Sequence, residues 1–169
     1  MFFGGMFLGY TVYRLAYPEA FAEGSHHLDV VLGGINTAVL IGSSLTMALA
    51  VHAAQVGERR QLIRFLAGTL GLGLVFLGIK AIEYAHKFEA HLVPGSRFVY
   101  EGPHAPQVQL FLSFYFGMTG MHALHMLIGI GLLSVLIRLA WRGRFSPDYY
   151  TPVEMIGLYW HFVDVVWIF

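Results

Sequence analysis

Four ionisable side chains stand within apolar stretches of the C-terminal half of the chain. His122 and His125 lie near the middle of one long apolar run, and His161 and Asp164 lie in the last such run. Ionisable groups are costly in hydrocarbon and normally face the interior of a helical bundle. Imidazole and carboxylate groups are metal ligands, but they also hydrogen-bond to one another. These residues fit either a metal or haem site or a polar network between two helices. We expect the network, in which His122 or His125 reaches His161 or Asp164, or backbone groups satisfy these side chains, with no metal between them.

Three further charged residues belong to the same predicted polar network. Lys80 precedes Glu83 by three residues, which is one helical turn, so a salt bridge is predicted. A lipid phosphate is the alternative partner for Lys80, and a proton or ion relay is the functional alternative for the pair. Glu154 precedes His161 and Asp164 by seven and ten residues. A helix therefore places these three side chains on one face.

Five apolar runs predict the helices that position these side chains, because a membrane span needs about 20 apolar residues. The chain of 169 residues is 57% hydrophobic and only 12% charged, which is about half the charge of a soluble domain. We predict an all-α fold, a polytopic transmembrane helical bundle of five spans in a single membrane domain. The predicted spans are 1–16, 28–54, 62–86, 108–139 and 152–169.

The first and last of these runs are short for a span and have no polar residues beyond them. The first run also lacks the basic start and the small-residue cleavage site of a signal peptide. We therefore expect both ends of the chain to be incomplete, with more helix on either side.

Charge and cysteine content exclude several classes of function. Ten Lys and Arg residues balance ten Asp and Glu residues, so there is no basic excess for binding nucleic acid. The absence of cysteine excludes disulfides, iron–sulfur clusters and thiolate metal sites. Six basic residues flank the second and fourth connections, and three flank the first and third. The positive-inside rule therefore places the second and fourth connections in the cytoplasm or mitochondrial matrix.

Two surface features predict what surrounds the bundle. Arg138, Arg142 and Arg144 form a basic cluster at the inner end of the fourth run, which suits an anionic lipid headgroup or simple anchoring at the interface.

In the second run, a strip of small residues lies nearly opposite a pair of polar residues. The strip is Gly34, Ala38 and Gly42, and the polar pair is Asn36 and Ser43. Because small residues allow close helix packing, we predict protein on both flanks of this helix.

One stretch of the last run is highly specific. Residues 159–167 read YWHFVDVVW, which resembles the signature of subunit III of haem–copper respiratory oxidases, and weaker motifs follow the same order along nearly the whole chain. The supporting motifs are FFGG at 2–5, NT at 36–37 with SS at 43–44, TLG at 69–71 with EY at 83–84, TGMH at 119–122 with LH at 124–125, and Glu154.

The resemblance implies a non-catalytic subunit of a proton-pumping cytochrome c oxidase. Such a subunit has no haem or copper of its own and packs against catalytic subunit I and other oxidase subunits. It binds phospholipid, supports proton uptake and protects the enzyme from inactivation during turnover. His161 joins the arginine cluster as a lipid-binding candidate. A respiratory supercomplex is a further potential partner, and a bacterial inner membrane is favoured over the mitochondrial inner membrane.

Some features of the chain depart from the family pattern or leave alternatives open. The five runs match the last five helices of seven-helix members, and Lys80 stands where the family usually has Gln. The equivalent subunit of a quinol oxidase or nitric oxide reductase is one alternative. A stand-alone membrane carrier or metalloprotein that uses His122, His125, His161 and Asp164 is the other.

Overall fold

The computed structural model describes residues 2–18, 30–89 and 105–168, and they are almost entirely helical. Within these ranges the only strand-like feature is an isolated bridge between Ser146 and Tyr149. The predicted all-α fold is therefore confirmed. The helices are α1 (Phe2–Ala16), α2 (Val30–Gln55), α3 (Arg59–Glu89), α4 (Ala105–Trp141) and α5 (Thr151–Ile168).

The prediction of five membrane spans is only partly confirmed. In the described part of the chain, three helices are long and apolar enough to cross a membrane, namely α2, α3 and α4. Helix α1 has 15 residues, which is about 22 Å at 1.5 Å per residue and less than the roughly 30 Å of hydrocarbon. Helix α5 has 18 residues, and Glu154, His161 and Asp164 lower its apolar character.

The described residues form two compact units. Of the described residues, the larger unit comprises 33–79 and 122–168, and the smaller comprises 2–18, 30–32, 80–89 and 105–121. Helices α3 and α4 contribute to both units, since each passes from one set of residues to the other. The prediction of a single membrane domain over residues 1–169 stays a prediction.

In the larger unit, α2, α3, α4 and α5 follow one another in antiparallel order. Residues 56–58 turn the chain between α2 and α3, and residues 142–150 turn it between α4 and α5. Gly57 (φ 76°) and Gly143 (φ 69°) adopt the left-handed conformation at these turns. In both turns a main-chain amide donates a hydrogen bond to the carbonyl oxygen five residues earlier. The donors are Glu58 and Arg144, and the acceptors are Ala53 and Leu139, respectively. These bonds satisfy carbonyls that the helix ends leave open.

The core of the larger unit is continuous along all four helices. On α3 the buried positions Thr69, Gly73 and Phe76 follow the helical period, and the same face continues to Lys80 and Glu83 in the smaller unit. All five positions are buried, as expected for residues that share one face of a helix. On α2, Asn36 and Ser43 are the buried polar residues.

In the smaller unit, α1 packs against the first half of α4. Gly9 makes the close approach possible, because a Cβ there would lie 3.1 Å from the Phe114 ring. Tyr10 and Phe111 stack at 6.3 Å between ring centroids, and Tyr13 and Phe114 at 5.7 Å. The two helices run antiparallel, since Met6 of α1 faces Gly117 of α4 and Gly9, further along α1, faces the earlier residue Phe114.

Candidate functional site

Trp160 lies at the point where all four helices of the larger unit meet. Its side chain is fully buried, and its Nε1 donates a hydrogen bond to Ser43 Oγ on α2 at 3.1 Å. The indole lies against two glycines, since a Cβ at Gly73 on α3 or at Gly129 on α4 would come within 2.9 Å of the ring. These glycines supply the space for the largest side chain of the core. The start of the YWHFVDVVW segment thus forms the centre of the bundle.

His161, the next residue, is held by α2 rather than by α4. Its Nδ1 shares a hydrogen bond of 2.6 Å with Ser44 Oγ. The ring lines a groove between α2 and α5 with a volume of about 250 Å³, whose wall also includes Ser44 and Asp164. Ser44 is not among the residues predicted for the polar network. Its place in the SS pair at 43–44 is the only signal that the sequence offers.

Asp164 lies one turn further along α5 and is 4% exposed. Among the described residues, neither of its carboxylate oxygens has a hydrogen-bond partner. The Ser43 hydroxyl lies close to this carboxyl group, but its single proton is donated to the main-chain oxygen of Leu40 at 2.9 Å, and its oxygen accepts from Trp160. A buried carboxyl group without hydrogen-bond partners lowers the stability of the folded chain.

The two histidines of α4 contact α5 through ring packing and a main-chain hydrogen bond. The His122 ring packs on Trp167 with centroids 5.1 Å apart and on Phe76 at 5.4 Å. The main-chain oxygen of His125 accepts a hydrogen bond of 3.0 Å from the Tyr159 hydroxyl. Trp167 in turn donates to Thr37 Oγ1 on α2 at 3.3 Å. Aromatic residues of α5 therefore join α4 to the rest of the unit.

A metal centre built from these residues has no geometric support. In the described ranges, no group of three or more His, Asp or Glu side chains gathers as metal ligands would. Glu154, the remaining member of the predicted stripe on α5, is exposed in the first turn of the helix. A carboxylate there is favourable because the helix N-terminus carries partial positive charge.

In the smaller unit, the structure brings Lys80 and Glu83 together in a buried cluster. Lys80 Nζ donates to Glu83 Oε2 at 2.6 Å, and the two residues are 8% and 6% exposed. The Tyr115 hydroxyl of α4 donates to Glu83 Oε1 at 2.5 Å. Next to it, Tyr84 and Thr119 share a second hydrogen bond between α3 and α4. Tyr115 is not predicted as a member of the network, because periodicity does not reveal which helix faces the pair.

The predicted basic cluster lies at the C-terminal end of α4. Arg138, Arg142 and Arg144 are all exposed, and Trp141 beside them is 65% exposed. Arg59, which is not predicted to have a special role, caps the same helix end. Its Nε donates to the main-chain oxygen of Ala140 at 2.9 Å, and a second nitrogen donates to that of Trp141.

Comparisons with a family profile and with single proteins agree on one family. The sequence profile of "Cytochrome c oxidase subunit III" matches residues 22–169. Proteins named cytochrome c oxidase subunit 3 are 36% identical in Corynebacterium diphtheriae, 35% in Synechocystis and 38% in Danio rerio. These matches cover 99%, 98% and 80% of this chain, and 77%, 65% and 46% of the respective relatives.

Proposed function

Because the chain belongs to the cytochrome c oxidase subunit III family, we propose that it is a non-catalytic subunit of a proton-pumping cytochrome c oxidase. Haem and copper, which reduction of O₂ to water requires, then belong to partner subunits. The observation that carries this proposal is the role of residues 159–167, which supply the buried centre of the bundle through Trp160. A segment used in this way supports helix packing and assembly.

The first experiment asks what this chain assembles with. The tagged chain is purified from its native membrane in mild detergent, and the haem content and the electron donor are measured. We expect haem-bearing subunits to co-purify and the complex to oxidise cytochrome c. Oxidation of quinol alone, or reduction of nitric oxide, would instead support the alternative complexes. Purification of the chain without any haem-bearing partner would contradict the proposal.

The location is proposed to be a bacterial inner membrane, with a respiratory supercomplex as a further potential partner. The near-complete coverage by the bacterial relatives supports this choice. The fish relatives match 80% of the chain. Fractionation of the source cells tests the location, and enrichment in a mitochondrial fraction would contradict it.

Phospholipid is proposed to bind at the basic cluster of α4. Three exposed arginines beside an exposed Trp141 offer both charge and apolar surface to an anionic headgroup. The test replaces Arg138, Arg142 and Arg144 with Gln in the whole complex and measures anionic phospholipid per haem by mass spectrometry. We expect a loss of bound lipid. Replacement of Arg14, an exposed arginine of α1, is the matched control, and unchanged lipid in the triple variant would contradict this site.

Support of proton uptake is the remaining part of the proposal. Complexes with and without this chain are compared during continuous turnover, with the decay of activity and the rate of proton uptake as readouts. We expect the complex without the chain to take up protons more slowly and to lose activity sooner. Identical decay curves would contradict the supporting role while leaving family membership untouched.

A further inference from the structure

Glu83 of the smaller unit has a hydrogen-bond donor at each of its two carboxylate oxygens. Lys80 Nζ donates to Oε2 at 2.6 Å, and the Tyr115 hydroxyl donates to Oε1 at 2.5 Å. Lys80 and Glu83 are both buried. Hydrogen bonds donated to a carboxyl group favour its charged form, and they are strongest when the acceptor is ionised. These contacts are therefore those of an ionised carboxylate.

Lys80 points toward this carboxylate although the end of the apolar stretch is close. It stands six residues before the end of the stretch Arg59–His86 of α3, which is about 9 Å along the helix axis. Lysines near a membrane surface normally extend their charge into water. Lys80 instead turns inward, and its Nζ donates a longer hydrogen bond of 3.4 Å to the Tyr115 hydroxyl. The ammonium group also lies 5.7 Å from the centre of the Tyr115 ring, where an aromatic face attracts a cation.

A neutral pair is the alternative state, in which a proton has moved from Lys80 Nζ to Glu83 Oε2. Burial favours this state, because isolated charges are costly away from water. Three hydrogen bonds and one ring contact oppose it, since each is strongest when its lysine or glutamate is charged. The described contacts therefore favour the ion pair.

We propose that Lys80 is a positioning residue that keeps Glu83 ionised, so that this pair holds no exchangeable proton. A proton relay needs a group that takes up and releases a proton in turn, and a carboxylate that stays ionised does neither. The charge of Glu83 instead orients the Tyr115 hydroxyl and joins α3 to α4 within the smaller unit. This inference rests on the proposed function in one respect, because it assigns the support of proton uptake to residues other than this pair.

Infrared difference spectroscopy of the whole complex reads the charge of Glu83. A protonated carboxyl group has a C=O stretching band that an ionised carboxylate lacks. The reference is the double variant Lys80→Met/Glu83→Gln, which removes both charges together. We expect wild type minus this reference to show carboxylate bands and no protonated carboxyl band. A protonated carboxyl band of Glu83 in wild type would overturn the proposal. Glu154→Gln, which removes an exposed carboxylate of α5, is the control that calibrates the carboxylate bands.

The role of Lys80 is tested by changing it alone. We expect a protonated carboxyl band in Lys80→Met, because an isolated buried carboxylate takes up a proton. Lys80→Arg keeps the positive charge and should give the spectrum of wild type. A side chain that only fills space would not move this band. If Lys80→Met does not assemble, Lys80→Gln takes its place. An ionised Glu83 in the assembled variant that lacks the positive charge would overturn the role of Lys80.

Proton uptake during turnover separates this inference from the proposed function. The rate is measured for wild type, for the double variant Lys80→Met/Glu83→Gln and for the complex without this chain. We expect the double variant to take up protons at the rate of wild type. A rate as slow as that of the complex without the chain, with assembly intact, would overturn the inference. Equal rates for wild type and the complex without the chain would contradict the proposed support of proton uptake, whereas the infrared result would still decide the charge of Glu83.

Discussion

At the scale of single residues, the fit between Trp160 and its two glycines has a measurable energy. A methyl group at Gly73 would lie 2.9 Å from the indole, whereas one at Gly78 on the same helix meets nothing within 4 Å. We expect Gly73→Ala to destabilise the chain by about 1–3 kcal/mol through overpacking. Gly78→Ala, the matched control, gains up to about 1 kcal/mol of helix propensity. Unfolding of the purified complex in increasing denaturing detergent measures both, and equal midpoints would refute the close packing.

The buried pair of Lys80 and Glu83 makes a different prediction at the same scale. Lys80→Met removes the hydrogen bond from Lys80 to Glu83 Oε2 and leaves the one from Tyr115 to Glu83 Oε1. Removing one member of a buried ion pair costs about 3–5 kcal/mol, because the other charge stays buried. We expect the double variant Lys80→Met/Glu83→Gln to recover much of this loss.

A double-mutant cycle on thermal stability checks this coupling. The four proteins are wild type, the two single variants and the double variant, all measured in the same detergent. Additive losses would show that the two side chains do not depend on each other. The thermal stability of Lys80→Gln is expected to lie between those of wild type and Lys80→Met, because Gln still hydrogen-bonds to a carboxylate.

At the scale of elements, the sequence predicts which segments are helical but not which helices pack against each other. The apolar run 62–86 lies within α3, Arg59–Glu89, and 108–139 lies within α4, Ala105–Trp141. Helical backbone continues past the apolar run into charged residues, so hydropathy marks the middle of a helix better than its ends. The period of 3.6 residues accounts for the buried face of α3. It does not say that Ser44 of α2 meets His161, because that depends on how the helices are arranged in space.

Arg59 leads to a prediction about the end of α4. Its guanidinium donates to the main-chain oxygens of Ala140 and Trp141, and the Ala140 oxygen also accepts from the Gly143 amide at 3.0 Å. These bonds serve carbonyls that the helix leaves open at its C-terminus. Hydrogen bonds to charged groups contribute about 1.5–3 kcal/mol, and the partial exposure of this site reduces that. We expect Arg59→Met to lower stability by about 1 kcal/mol or more and to speed amide hydrogen exchange near residue 143. Arg60→Met, which alters an exposed neighbour, is the control and should change neither.

At the scale of the whole molecule, the arginine distribution predicts orientation. The connection between α4 and α5 carries more basic residues nearby than the end of α1 does, so it is expected inside. Because the chain has no cysteine, single cysteines report on this without further changes. A cysteine at Asp148 should react with an impermeant thiol reagent only in inverted vesicles. One at Tyr17, which is 44% exposed, should react only from the outer side.

The two units also show where prediction from sequence ends. Composition alone indicates a membrane protein, and one nine-residue segment indicates its family. Hydropathy does not fix the count of spans, since α1 is short and α5 carries three ionisable residues. The hydropathy of the sequence does not reveal that α3 and α4 are each divided between two units. Burial of Lys80 likewise depends on Tyr115 from another helix, which a one-helix pattern does not contain.

The closure of the larger unit by α5 bears on how the protein is made. The bonds from α5 to Ser43, Ser44 and Thr37 join residues 117 to 130 positions apart. A ribosome adds about 5–20 residues each second, so α2 enters the membrane roughly 6–25 s before its partner helix exists. During this interval Ser43, Ser44 and Thr37 of α2 lack their hydrogen-bond partners on α5. A chain stopped before Thr151 should therefore remain bound to the insertion machinery or to a membrane protease, and release should coincide with synthesis of α5.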